Sequence, residues 1–274
     1  MAASVASGDV PPGRRPAGVV RAYAPAAPGR HAVLSWARRH ADRTGAPLEI
    51  LVDPEAARVT SRRPSVRDLG ARALAAVVGR PTLADRLGRA GAGAGVLVVP
   101  QDTPGVDQLV DGAYETVAVV PDQPPHRGGP VVLALAPRTT DEAVGAAFDA
   151  AAARGAPLVA LRFRDPEPGV LVADDELGAE TAEEHRFWTD HLSGWHLAYP
   201  EVALEVHVAD GDPAPELVEV SSGARLLVLG RPRRGRLLAA VTPSPVPQVS
   251  RAARCPVLVV PSGGPPRRTW RTRS

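Results

Sequence analysis

Near its C-terminal end the chain combines glycine, arginine and serine in an order that suits phosphate binding. Two apolar runs, Leu226–Leu229 and Val257–Val260, are rich in valine and leucine and are typical of strands buried in a parallel sheet. Between them come Gly230, the basic segment Arg231–Arg236 and then Ser244, which is followed by proline and is placed to cap a short helix. A strand, a glycine-bearing loop and a helix N-terminus bind phosphate in many α/β proteins.

The overall composition is that of a globular protein. Its 274 residues suffice for one large domain or two ordinary ones, with 44% hydrophobic and 23% charged residues. No apolar run approaches the ~20 residues that span a bilayer, and the N-terminal segment lacks the apolar core of a signal peptide. These features predict a cytoplasmic protein with no membrane contact. The single Cys255 excludes an internal disulfide and a multi-cysteine metal site, and we expect it to be a small buried hydrophobe.

The basic residues do not indicate a nucleic-acid partner. All 32 are arginine, since the chain has no lysine, and 30 acidic residues reduce the net charge to +2. A nucleic-acid-binding protein should gather its positive charge on one face. Here arginine is spread along the chain, with modest concentrations at Arg231–Arg236 and Arg267–Arg273.

An internal repeat organises the chain. Five segments recur in the same order: 19–25 with 131–137, 43–48 with 153–158, 79–87 with 211–219, 96–100 with 226–230, and 115–121 with 255–261. Short apolar runs alternate with helical patterns, which predicts parallel strands with helices on both faces. We therefore predict an α/β fold of two tandem Rossmann-like domains, each with a parallel five-stranded sheet.

The repeat also predicts where the domains lie. We expect a disordered tail at 1–16, a first domain at 17–121, a linker at 122–129, a second domain at 130–261 and a basic tail at 262–274. The third strand of the first domain is predicted at Leu74–Val78. The last strands, Thr116–Val120 and Val257–Val260, are expected at the contact between the domains, because their exposed edges would otherwise favour aggregation.

These segments resemble the universal stress protein (UspA-like) family in its tandem form. The likeness rests on RGAPL at 154–158, on HVADGDPAPELVEVSSGARLLVLG at 207–230 and on RCPVLVVP at 254–261, and the segment order extends it over most of 17–261. It implies an adenine nucleotide alpha hydrolase-like fold and a role in stress response, in proteins that are often dimeric and that bind ATP only in some members. We expect a non-enzymatic regulatory protein whose halves pair within one chain. Its protein partner and a further homodimer stay open.

The resemblance also supplies a nucleotide site to test. ATP-binding members carry an Asp after the first strand and the motif G-x2-G-x9-G-[S/T] after the fourth. In the second half the Asp position falls on Ala136, the first glycine is Gly230, and the closing hydroxyl is Ser244. The second and third glycines fall on Arg233 and Pro243.

In the first half, Ala24 and Pro100 replace the Asp and the first glycine, and the phosphate loop is largely deleted. The candidate nucleotide-binding residues are therefore all in the second half: Ala136, Gly211, Gly230, Arg231, Arg233, Arg234, Gly235 and Ser244. Lost or weakened ATP binding is predicted, because arginine adopts positive φ poorly and proline lacks an N–H. The alternative is an ATP or anion sensor that uses Gly230–Gly235 and Ser244, because arginine and a helix N-terminus both attract phosphate.

No catalytic or metal site is predicted. His185, His191 and His196 are spaced six and five residues apart, so they do not share one helix face as metal ligands would. Trp188 and Trp195 are seven apart, two helical turns, which indicates core or interface packing.

Overall fold

The computed structural model describes residues 18–25, 30–52, 81–112, 114–122, 128–164, 174–231 and 244–262. The strands are β1 Val20–Tyr23, β2 Leu48–Leu51, β3 Val96–Pro100, β4 Thr116–Val120, β5 Val131–Leu135, β6 Leu158–Arg164, β7 Leu204–Asp210, β8 Leu226–Arg231 and β9 Val257–Pro261. The helices are α1 Arg30–Thr44, α2 Leu83–Gly91, α3 Val106–Gly112, α4 Asp141–Ala152, α5 Asp174–Ala198, α6 Pro213–Val220 and α7 Pro245–Ala252. The strand predicted at Leu74–Val78 lies outside the described residues.

The strands form one nine-stranded sheet in the order β2-β1-β3-β4-β9-β8-β5-β6-β7. Described neighbours pair in parallel, except that β4 and β9 are antiparallel, with Ala118 opposite Leu258. The predicted contact between the two last strands is therefore confirmed. The two predicted sheets are one continuous sheet, because this pairing covers an edge of each parallel set.

Helices cover both faces of the sheet. One apolar cluster joins α1, α4 and α5 to one face, and a second joins α2, α3, α6 and α7 to the other. Neighbouring residues of a strand point to opposite faces, so Val98 belongs to the first cluster and Val99 to the second, and both are fully buried. Burial on both faces explains why the central strands read as unbroken runs of valine and leucine.

The long helix α5 is held to the sheet by aromatic packing and by ion pairs. Trp188 and Trp195 are both buried, which confirms the predicted core packing. The ring of Trp195 stacks on Phe148 of α4, with 6.1 Å between ring centres. At the end of β6, Arg162 Nε donates to Glu184 Oε1 of α5 at 2.6 Å.

Candidate nucleotide site

Three of the predicted site residues meet at one edge of the sheet. The parallel strands β5 and β8 are neighbours, with Ala134 opposite Leu229. Ala136 therefore lies beside Gly230 and Arg231 where these strands end. Gly211 does not join them, because it follows β7, which is separated from β8 by β5 and β6. Three strand spacings place it roughly 14 Å away.

Three further predicted site residues, Arg233, Arg234 and Gly235, lie outside the described residues. Ser244 opens α7, as predicted. Gly211 has a local role in the turn from β7 to α6, where its N–H donates to the carbonyl of Arg164 at 3.1 Å. Its φ of 149° is a value that glycine adopts most easily.

Two hydrogen bonds join Ala136 to Thr139 within the turn that follows β5. Thr139 Oγ1 accepts a hydrogen bond from the N–H of Ala136 at 2.7 Å, and the N–H of Thr139 donates to the Ala136 carbonyl at 2.8 Å. The Ala136 side chain supplies no acceptor for a ribose or a base. Asp141 and Glu142 then occupy the first turn of α4. Their negative charges disfavour a phosphate at that helix N-terminus.

Gly230 has a packing reason to be glycine. A Cβ placed on it would lie 3.2 Å from Cβ of Ala143 in α4. A side chain would therefore push β8 and α4 apart, which is a common cause of glycine inside a strand. Packing against α4 therefore favours glycine at this position, whether or not a ligand binds.

Arg231 reaches across to the other half of the chain. Its Nη1 donates to the carbonyl of Asp111, near the C-terminal end of α3. Gln101 holds the equivalent place in the first half, directly after β3. Its Nε2 donates to the carbonyls of Ser250 at 3.1 Å and Ala253 at 2.8 Å, at the C-terminal end of α7. We call Gln101 and Arg231 the crossed caps, because each satisfies carbonyls at the helix end of the opposite half.

The start of α7 offers few hydrogen-bond donors to a ligand. Ser244 Oγ accepts from the N–H of Val246 at 3.4 Å, which confirms its predicted role as the N-cap. Pro245 and Pro247, on either side of Val246, have no N–H. Pro247 was the signal that the sequence reasoning missed: together with Pro245 it removes two of the donors that a phosphate needs at this helix end.

The corresponding turn in the first half is compact. Thr103 is buried, its Oγ1 donates to the Pro100 carbonyl at 2.7 Å, and its own carbonyl accepts from the N–H of Val106 at 3.0 Å. Gly105, with φ of 77°, completes the turn into α3. In this half only residues 101–105 connect β3 to α3.

The remaining candidates offer little chemistry. Cys255 is buried, as predicted, and burial raises the pKa of its thiol to about 12, which keeps it protonated and unreactive. His185 Nε2 lies 3.0 Å from the Val206 carbonyl. In the part of the chain that the structure describes, no three His, Cys, Asp or Glu side chains are grouped to hold a metal ion. No helix within that part is long and apolar enough to cross a membrane.

The second half of this chain matches a known protein family. The sequence profile described as the universal stress protein family matches residues 129–261. One universal stress protein of Mycobacterium tuberculosis H37Rv is 34% identical over 143 residues, 52% of this chain and 48% of the relative. A second from the same strain is 35% identical over 138 residues, 46% of this chain and 43% of the relative. The chain thus spans about half the length of the curated relatives it matches.

Solved structures share the fold over a larger part of the chain. A putative universal stress protein from Pseudomonas aeruginosa UCBPP-PA14 has a TM-score of 0.61 and 16% identity, covering 89% of this chain and 93% of its own. A universal stress protein from Archaeoglobus fulgidus has a TM-score of 0.55 and 12% identity, covering 89% and 98%. At such identities the likeness supports the fold alone. The sequence match identifies residues 129–261, on this Rossmann-like architecture, as a universal stress protein domain.

Proposed function

We propose that this chain is a non-enzymatic, cytoplasmic stress-response or regulatory protein whose two halves pair as the subunits of a dimer would. We further propose that ATP binding in its second half is lost or weakened. The observation that carries the proposal is the contact of Arg231 with the Asp111 carbonyl. The residue that follows the first glycine of the phosphate motif is engaged with the other half of the chain.

Backbone pairing and side-chain contacts support the intrachain pair. β4 and β9 pair along the middle of the sheet, and α3 packs against α7. The ion pair between Asp107 and Arg251 joins these two helices, and each crossed cap joins one half to the helix end of the other. In this proposal the halves are the predicted domains, 17–121 and 130–261.

The chemistry of the strand edge supports weakened ATP binding. A nucleotide site needs an acceptor for the ribose or base and several N–H donors for the phosphates. Ala136 provides no acceptor, and the prolines at the start of α7 remove donors. The carboxylates of Asp141 and Glu142 add negative charge at the nearby start of α4. These features act together against a bound triphosphate.

Calorimetry and thermal unfolding with ATP and Mg²⁺ test the proposal. With millimolar ATP we expect no saturable heat of binding and no shift in the Tm of the protein. Arg233→Gly with Pro243→Gly restores the two motif glycines and should gain affinity, and adding Ala136→Asp should gain more. Ser244→Gly, which removes the hydroxyl of the motif, serves as the matched control. Micromolar binding by the wild type that is lost on Ser244→Gly would instead support the sensor using Gly230–Gly235 and Ser244.

Two further measurements address activity and assembly. Incubation with ATP should release no phosphate above a buffer blank, and release that scales with protein concentration would contradict the non-enzymatic proposal. Light scattering after gel filtration measures whether two chains associate, which decides on the homodimer.

A further inference from the structure

The long helix α5 has two parts that contact the sheet in different ways. We call Glu180–Phe187 the polar segment and Trp188–Ala198 the apolar segment. The apolar segment buries Trp188 and Trp195 in the apolar cluster on that face of the sheet. In the polar segment, where the structure describes every side chain, none is buried. The hydrophobic effect therefore fixes the apolar segment to the sheet and contributes little to holding the polar one.

Ion pairs attach the polar segment to the sheet. Arg162 Nε of β6 donates to Glu184 Oε1 at 2.6 Å. Arg164 Nη1 lies 3.6 Å from Glu180 Oε2, and Arg164 Nε lies 3.9 Å from Glu184 Oε2. His185 Nε2 adds a contact of 3.0 Å with a carbonyl of β7. Because the Glu180 side chain is 65% exposed, the pairs lie at the protein surface, where salt screens them.

Alternation along β6 places the two arginines under the polar segment. Residues two apart share one face of a strand, and this face carries Leu158, Ala160, Arg162 and Arg164. The first two are buried in the same apolar cluster as Trp188, and the two arginines pair with carboxylates of α5. The face of β6 thus changes from apolar to basic towards its carboxyl end, and α5 changes from apolar to acidic towards its N-terminus.

Both arginines also have partners on the sheet itself. Arg164 Nε donates to Asp210 Oδ1 of β7 at 2.9 Å, and Arg162 Nη1 donates to the carbonyl of Phe163. These contacts do not involve α5. Detachment of the polar segment therefore leaves neither guanidinium without a partner, so it avoids the large cost of an unpaired charge that is shielded from water.

We propose that the polar segment is a latch, which detaches from the sheet while the apolar segment stays packed. Local opening of this kind occurs where few apolar contacts are buried. Detachment uncovers Arg162 and Arg164 at the carboxyl end of β6. Since Leu135 of β5 lies opposite Arg162, these arginines are beside Ala136, at the edge of the sheet where α/β proteins bind ligands. The latch therefore controls how much of that edge is open.

Hydrogen–deuterium exchange of the full chain, read by mass spectrometry for each segment of α5, tests the latch. Glu184→Gln should accelerate exchange in the polar segment by about fivefold, the effect of losing one ion pair, and leave the apolar segment unchanged. Glu183→Gln is the matched control, because this neighbouring residue is exposed and forms no ion pair within the described ranges. Raising NaCl from about 0.01 M to about 1 M should accelerate exchange in the wild type more than in Glu184→Gln.

A charge swap separates the ion pair from the loss of a side chain. Arg162→Glu should open the polar segment, and combining it with Glu184→Arg should restore most of the protection. Wild-type exchange in the apolar segment shows that a variant is folded, and if Arg162→Glu unfolds, Glu184→Gln decides the outcome. The proposal is overturned if Glu184→Gln exchanges like Glu183→Gln, if salt does not affect the wild type, or if both segments of α5 open together.

Discussion

The two halves of the molecule differ most where their penultimate strands end. In the first half, β3 passes through the compact turn at residues 101–105 into α3. In the second, β8 ends at Gly230 and Arg231, and residues 232–243 separate it from Ser244 and α7. The first half therefore has the shorter connection, and the second has a longer one in which Gly235 is the only glycine.

Despite this difference, the equivalent residues at the ends of these two strands, Gln101 and Arg231, make the same kind of contact. Gln101 donates to carbonyls at the end of α7, and Arg231 donates to a carbonyl at the end of α3. This position therefore joins the two halves in both repeats, whether the loop that follows it is short or long. Arg231, which lies beside the degenerate phosphate motif, thus has a structural role that requires no ligand.

The largest effect is expected at the middle of the sheet, where the two halves are joined. Leu258 of β9 is buried opposite Ala118. Leu258→Ala should lower the free energy of unfolding by about 2–5 kcal/mol, because it leaves a cavity in the core. Leu204→Ala in the edge strand β7, where the side chain is half-buried, should cost about 1 kcal/mol. Urea denaturation measures both, and equal losses would show that the centre of the sheet is no more critical than its edge.

A pH effect should distinguish the first helices of the two halves. The repeat aligns His40 of α1 with Ala150 of α4. Burial and the charge of Arg154 lower the His40 pKa from 6.5 to about 4, so the unfolded chain binds a proton that the folded chain does not. Stability from this group is present above pH 6.5 and is lost as the pH falls towards 4, by up to about 3 kcal/mol.

His40→Gln should therefore flatten the dependence of unfolding free energy on pH between 6.5 and 4. His191→Gln, at an exposed position on α5, should keep the wild-type dependence. Chemical denaturation at a series of pH values makes the measurement. An unchanged slope in His40→Gln would mean that this histidine is accessible to protons in the folded chain.

The crossed caps should contribute smaller amounts to the free energy of unfolding. Gln101→Ala removes two hydrogen bonds to helix-end carbonyls and should cost about 1–2 kcal/mol, and Arg231→Ala should cost about 1 kcal/mol because its contact is more exposed. We expect the double variant to show roughly the sum of the two losses. A stability of Arg231→Ala equal to that of the wild type would mean that this contact does not couple the halves, and would remove the main support for the proposed function.

The smallest effects are expected at the helix caps of the repeat. In the first half, Thr82 and Asp85 form a capping box at α2, and in the second, Asp212 alone caps α6 by accepting from the N–H of Ala214 at 3.0 Å. Asp212→Ala and Thr82→Ala should each lower the unfolding free energy by about 1 kcal/mol. The hydrogen bonds from Thr82 lower the pKa of Asp85. Thermal unfolding compares the two, and an increase in Tm for either variant would contradict the assigned cap.

Much of the fold was predictable because its signals are local. Runs such as Val257–Val260 predict buried strands from composition alone, and Ser244 before a proline predicts the start of α7. The repeat fixed the order of the elements, and the exposed edge of the last strands was enough to predict their contact. Boundaries were less certain: the apolar run Leu226–Leu229 predicts β8, which extends to Arg231. The ends of an element depend on weak local signals that packing readily overrides.

The candidate site could be predicted only in part. The sequence by itself determined which motif residues are missing, because the identities of Ala136 and the prolines near Ser244 are fixed without any coordinates. Only the tertiary structure showed that a side chain on Gly230 would crowd Ala143, that Arg231 contacts Asp111, and that Gln101 contacts the end of α7. These contacts join residues far apart in the sequence, and their existence depends on how the two halves pack, which no local pattern of residues encodes.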